Sequence, residues 1–124
     1  MVLRLIKSSL WGFKETIQPI KRVLPGKYTL IGKRYIGDEF SVKVDWREII
    51  ELDGFCGFYH EHPIAFSSPS IQDDLTMDSW VKATGKAKIL IIKTGKKMTG
   101  WIYFRIGNTD VRMPMPKYSE RMIV

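Results

Sequence analysis

The chain has 124 residues, enough for one domain over 1–124 and too few for two ordinary ones. A single cysteine, Cys56, excludes an internal disulfide, and no secretory pattern or bilayer-length apolar run of ~20 residues is visible, so a cytoplasmic protein is expected. The net charge is +7, yet residues 48–81 hold no Lys or Arg and carry Glu51, Asp53, Glu61, Asp73, Asp74 and Asp78, which suits a cation site better than a phosphate site.

In chain order, residues 3–13 read either as a short helix or as a strand, and Pro19 interrupts whatever follows Glu15. Strands are predicted over 28–36 and 40–44, joined by a turn at Gly37-Asp38. Phe40, Val42 and Val44 alternate with Ser41 and Lys43, the period of a half-buried strand. A further strand over 55–62 is ended by Pro63, which cannot donate to a ladder.

After a Ser/Pro loop at 64–69, Ser70 takes a helix N-cap position with Asp73 three residues on. Ile71, Leu75, Trp80 and Val81 follow at near-helical spacing, and Gly85 stops that helix. The run Ile89-Leu90-Ile91-Ile92 within 88–93 reads as a central strand covered on both faces. A turn at 94–96 leads to a strand over 100–106, where Trp101 and Tyr103 oppose Ile102 and Phe104. The tail 113–124, with Pro114 and Pro116, is expected to be extended or loosely docked. The order strand, helix, strand, strand implies an α/β domain, a mixed central sheet with packed helices.

His60 and His62 lie two apart near a strand end, so both project from one face. Asp73, in the first turn of the next helix, can supply a third ligand. Two neutral imidazoles and one carboxylate leave a fourth position for water, the arrangement of a catalytic zinc site. Zinc in such a site brings the pKa of water down to about 7. Taken alone, Asp73 reads as a helix cap favoured by the dipole. The conjunction argues for the metal: His-x-His-x7-Ser-x2-Asp should arise by chance in about two of ten thousand chains of this length. Both histidines of the protein fall inside it.

The segment 60–73 resembles the motif of the JAMM, or MPN-plus, zinc metalloproteases: a distant Glu, His-x-His-Pro, seven residues to a Ser, and two more before an Asp. Gly57-Phe58-Tyr59 ahead of it, and Asp73 to Met77, Trp80-Val81, Gly85-Lys86 and Ile89 to Ile92 behind it, are similar to small prokaryotic JAB-domain proteins. The likeness runs over about residues 40–104 and is thin toward the amino end.

This resemblance implies a cytidine-deaminase-like α/β (JAB/MPN) domain. It also implies cleavage of isopeptide or peptide bonds after the carboxyl end of ubiquitin or a ubiquitin-like protein. His60, His62 and Asp73 would be the zinc ligands, and Ser70 would hydrogen-bond the oxyanion. The family's catalytic Glu lies upstream on a neighbouring strand. Glu15, 45 residues before His60, begins with Thr16 like the Glu-Thr-Gly-Gly of bacterial relatives, but Ile17-Gln18 replaces the glycines. Glu39, then Glu48 or Glu51, are the alternatives for this base.

Glu61 stands where the family has Ser, Thr or Asn. Strand alternation turns it away from the metal, as an exposed or partner-facing charge; the other reading is a groove residue that selects a basic tail. The expected partner is a ubiquitin-like protein or peptide tail, which could add a strand to an exposed sheet edge. No membrane partner is expected. Two other functions stay open: a catalytically impaired MPN-like binding scaffold, and a RadC-type nucleic-acid-associated domain motivated by the net charge.

Overall fold

The computed structural model describes residues 15–37, 44–62, 67–115 and 122–124. Seven strands among them pair into one mixed sheet. In chain order the elements are β1 (Thr16–Leu24), β2 (Lys27–Leu30), β3 (Tyr35–Ile36), α1 (Trp46–Ile50), β4 (Phe55–Glu61), α2 (Ile71–Thr84), β5 (Lys88–Thr94), β6 (Lys97–Ile106) and β7 (Thr109–Pro114). The strands lie in the order β2-β1-β4-β5-β6-β7, with β3 also on β1. Only β4 and β5 run parallel, with α2 in the crossover between them; every other pairing is antiparallel.

The expected cytidine-deaminase-like α/β domain with helices packed on the sheet is overturned. The sheet dominates, and the helices among the described residues are α1, of five residues, and α2, of 14. The order strand, helix, strand, strand holds for residues 55–106, but strands flank it that the sequence did not announce. One of these, β1, contains Pro19, which read as a break. Its carbonyl accepts from Ile31 N (2.9 Å), so its nitrogen faces the side where β2 ends and β3 begins. The N–H that proline lacks therefore falls in a gap between two short partners. The Gln18 side chain fills part of that gap, donating to the carbonyls of Ile31 (3.4 Å) and Gly32 (3.1 Å).

The other unannounced strand, β7, takes in Met113 and Pro114, which read as tail, and pairs with β6 through Gly107-Asn108. The predicted strand over 28–36 is split into β2 and β3 by Gly32, whose φ of +64° places it in the left-handed region. Residues 3–13, Asp38, and residues 40–43 of the strand predicted over 40–44 lie outside the described residues.

Helix α2 follows the predicted chemistry. Ser70 caps it, and Gly85 closes it at φ +67° by donating to the Val81 carbonyl (2.8 Å). Its inner side carries Met77, Trp80 and Val81 onto Phe58, Leu90 and Ile92 of the sheet. Phe55, Phe58 and Trp80 meet there with ring centroids 5.1–5.6 Å apart. On the opposite face Ile91 packs with Ile20 and Tyr28 beneath Met98, Met115 and Met122. The tail is pinned there: Tyr28 N donates to Met122 O (2.7 Å) and Val124 N to Tyr28 O (2.8 Å). Strand β5 is thus covered on both faces, as its unbroken apolar run implies.

Glycines at 57 and 100 allow close approach between strands and tail. A Cβ on Gly57 would strike the Ile89 carbonyl across the parallel pair, and one on Gly100 would meet the sulfurs of Met115 and Met122. No helix among the described residues is long and apolar enough to cross a membrane.

Candidate metal centre

Three elements meet at one end of the sheet. Strand β4 delivers His60 and His62 on the face that carries Phe58, the face packed by α2. Thr16 lies opposite Glu61, and carrying that antiparallel register one residue further sets Glu15 beside His62. Glu15 is held there by its carbonyl, which accepts from Gly37 N (2.9 Å). Helix α2 contributes Asp73 from its first turn. Glu15, His60, His62 and Asp73 are all buried.

One ligand atom each from Glu15, His60 and His62 lies within 4.8 Å of the others, a buried group that could hold a metal ion. Asp73 reaches both histidines, with Oδ1 3.2 Å from His60 Nδ1 and Oδ2 2.9 Å from His62 Nε2. Glu15 Oε2 stands 3.6 Å from His60 Nε2. The two imidazoles are nearly perpendicular, with centroids 4.5 Å apart and an 86° interplanar angle.

The histidine contacts are close, but His60 Nδ1 and Nε2 are buried without a hydrogen bond of acceptable geometry. Buried polar atoms are nearly always satisfied, and donors that crowd together without bonding one another fit a site built around a cation. Two borderline imidazole nitrogens with carboxylate oxygens are a donor set that suits zinc.

Electrostatics follow from the crowding. Burial alone would depress the His60 pKa, but the carboxylates of Asp73 and Glu15 outweigh it and push the value up to about 9. Burial would likewise raise Asp73, yet His60 and His62, with the Ser70 backbone, hold its carboxyl well below the usual carboxylate range.

The remaining candidates separate clearly. Ser70 sits next to the cluster, accepting Asp73 N–H on Oγ (3.1 Å) while its own N–H donates to Asp73 Oδ2 (2.9 Å). Of the alternative bases, Glu48 is exposed on α1, where it accepts from the Tyr35 hydroxyl (3.0 Å) and pairs with Lys33 (3.8 Å). Glu51 is exposed at the C-cap of α1, and Glu39 lies outside the described residues. Glu61 points to the opposite face, accepting from Thr16 Oγ1 (3.3 Å) and pairing with Arg34 Nη2 (3.8 Å).

Sequence reasoning missed the residues that seat the first turn of α2. Asp74, neighbour of Asp73, accepts from the buried Tyr103 hydroxyl (2.7 Å) and from Arg112 Nη1 at both oxygens (2.9 Å each). Thr99 Oγ1 donates to Ser67 O (2.8 Å), holding the segment ahead of Ser70 against β6. The only sequence signal for these was the second Asp of the Asp73-Asp74 pair. No protein-family model matches the chain, and no curated protein matches it.

Proposed function

We propose that this chain is a zinc-dependent peptidase or isopeptidase acting on the carboxyl-terminal tail of a ubiquitin-like protein or a similar peptide, in the cytoplasm. One observation carries the reading: Glu15, 45 residues upstream, is buried 3.6 Å from a histidine that Asp73 also faces. The JAMM-like spacing of residues 60–73 supports the same chemistry. In this reading His60, His62 and Asp73 hold the metal.

A zinc ion there supplies a Lewis acid and makes hydroxide available near neutral pH. The Glu15 carboxylate takes the proton of the attacking water at Oε2 and delivers it to the leaving amine nitrogen. The Ser70 hydroxyl turns toward the substrate carbonyl. Its lone pair is committed to Asp73 N–H, which leaves its O–H free to donate to the oxygen as charge develops. Burial of the four side chains keeps bulk water from screening these interactions.

The experiment is metal analysis of untagged protein purified without chelator, beside His62→Ala, followed by cleavage of a ubiquitin-like tail fusion. About one zinc per chain in the wild type, with zinc and cleavage both lost in the folded variant, is the expected result. A folded wild type without zinc, or cleavage retained by His62→Ala, overturns the reading.

A further inference from the structure

One row of side chains crosses the end of the sheet beyond the metal ligands. Glu15 lies beside His62 on the β1–β4 register. Glu61 lies opposite Lys93, which places His62 beside Thr94, and Thr94 is paired directly with Lys97. The period of two puts all four on the α2 face. His62 follows Phe58 and His60, Thr94 follows Leu90 and Ile92, and Lys97 precedes Thr99, Trp101 and Tyr103, with Leu90, Ile92 and Tyr103 all in the core under α2.

The far end of this row is an exposed cation. Lys97 has no carboxylate paired with it among the described residues, and exposed Lys96 stands beside it in the same turn. Two nearby cations already have carboxylate partners, Lys33 with Glu48 and Arg34 with Glu61, and Lys93 lies on the opposite face of β5. Thr99, two residues along the same face, holds down the segment that leads to Ser70, so Lys97 borders the site on its β6 side. Two strand spacings, about 10 Å, separate the Cα atoms of His62 and Lys97. A peptide advances about 3.3 Å per residue, and the lysine stem reaches back over part of that gap.

We propose that Lys97, assisted by Lys96, is an anionic subsite, so that the substrate presents a carboxylate within about two residues of the bond that is cut. This rests on the hydrolase reading and supplies its substrate class. A tail with Arg or Lys at that place meets like charge. Glu61, which the sequence offered as a selector of a basic tail, is turned to the other face and held by Arg34. The carboxylate can come from an Asp or Glu side chain or from the free carboxyl terminus of the peptide.

The test measures binding of fluorescein-labelled peptides to zinc-loaded Glu15→Gln protein, and cleavage of the same peptides by the wild type. The peptides differ at one position only, Glu, Gln or Lys, and each is made with a free carboxyl terminus and as the carboxamide. A carboxylate-bearing peptide should bind about two- to fivefold tighter than its neutral counterpart. That preference should weaken with salt, vanish in Lys97→Gln and turn toward the Lys peptide in Lys97→Glu. The carboxamide arm separates a terminal carboxylate from a side chain. Equal binding of charged and neutral peptides, or an unchanged preference in both Lys97 variants, overturns the subsite even where the wild type cleaves. A Lys97-dependent preference without cleavage upholds the subsite and sinks the hydrolase reading.

Discussion

Ser70 and Asp73 hold each other by reciprocal hydrogen bonds, Ser70 Oγ accepting Asp73 N–H at 3.1 Å and Asp73 Oδ2 accepting Ser70 N–H at 2.9 Å. The same Oδ2 lies 2.9 Å from His62 Nε2, so the helix cap and the carboxylate proposed to hold the metal are one structure. Ser70→Ala should cost about 1 kcal/mol of stability, the ordinary worth of a cap. If the Ser70 hydroxyl also stabilises the oxyanion, kcat should fall by roughly two orders of magnitude while zinc content holds. Urea denaturation, metal analysis and kcat on one preparation separate the two roles. A kcat loss no larger than the stability change explains would leave Ser70 a cap alone.

Glu15 has two possible employments in this geometry, because one of its oxygens belongs to the ligand-sized group with His60 and His62. A base and a ligand respond differently to Glu15→Gln, which keeps the shape and removes the charge. If Glu15 moves the proton, the variant keeps about one zinc per chain while cleavage drops by at least about a hundredfold. If Glu15 ligates, zinc leaves with it. Metal analysis of the folded variant decides the matter, and loss of zinc would return the site to a closed, structural type.

Local chemistry was legible in this chain where it was carried by neighbours in sequence. Ser70, Asp73 and Gly85 announce the start and stop of α2 because caps act within one turn. His60 and His62 announce a shared face because strand period is fixed. Glu15 is different in kind. Its place beside His62 depends on the register of β1 on β4, a long-range pairing that no local pattern encodes. The same blindness hid the fold class. Pro19 reads as a breaker unless the gap between β2 and β3 is known, and the tail that covers Ile91 through Met115 and Met122 is tied down by contacts from Tyr28 and Gly100.

Asp74 should matter to the site without touching it. Its carboxylate joins the buried Tyr103 hydroxyl to Arg112, whose guanidinium also lies 5.1 Å from the Trp101 ring centre, and so seats the first turn of α2 on β6 and β7. A hydrogen bond to a charged group contributes about 1.5–3 kcal/mol, so Tyr103→Phe should destabilise by that order. Asp74→Ala should cost more, since it leaves the Tyr103 hydroxyl buried without its acceptor. A double-mutant cycle of these two substitutions should show coupling of about 1 kcal/mol or more. Additive effects would mean that the bond contributes nothing to the seating of α2.

The proton on His60 should make the metal-free protein lose stability with rising pH over a range in which a zinc-loaded protein, its imidazole already neutral, stays level. With its value raised from 6.5 to about 9 in the folded chain, the protonated imidazole contributes stability that is complete below pH 6.5 and is lost as pH climbs through 9. Asp73 acts on the acid side: its lowered value contributes stability above pH 3.8 that is lost as pH falls below it. Chelated protein should therefore melt at progressively lower temperature from pH 6.5 to about 9. Zinc needs the neutral imidazole, so its binding near neutral pH must expel that proton and must tighten as pH rises over the same interval. The gap between melting temperatures with excess zinc and with chelator should widen across this range, and calorimetry in buffers of different ionisation enthalpy should count close to one proton released per zinc. A chelated midpoint that stays level or rises over this interval, with no proton released on zinc binding, would show that His60 is neutral in the folded chain and that the two carboxylates do not govern it.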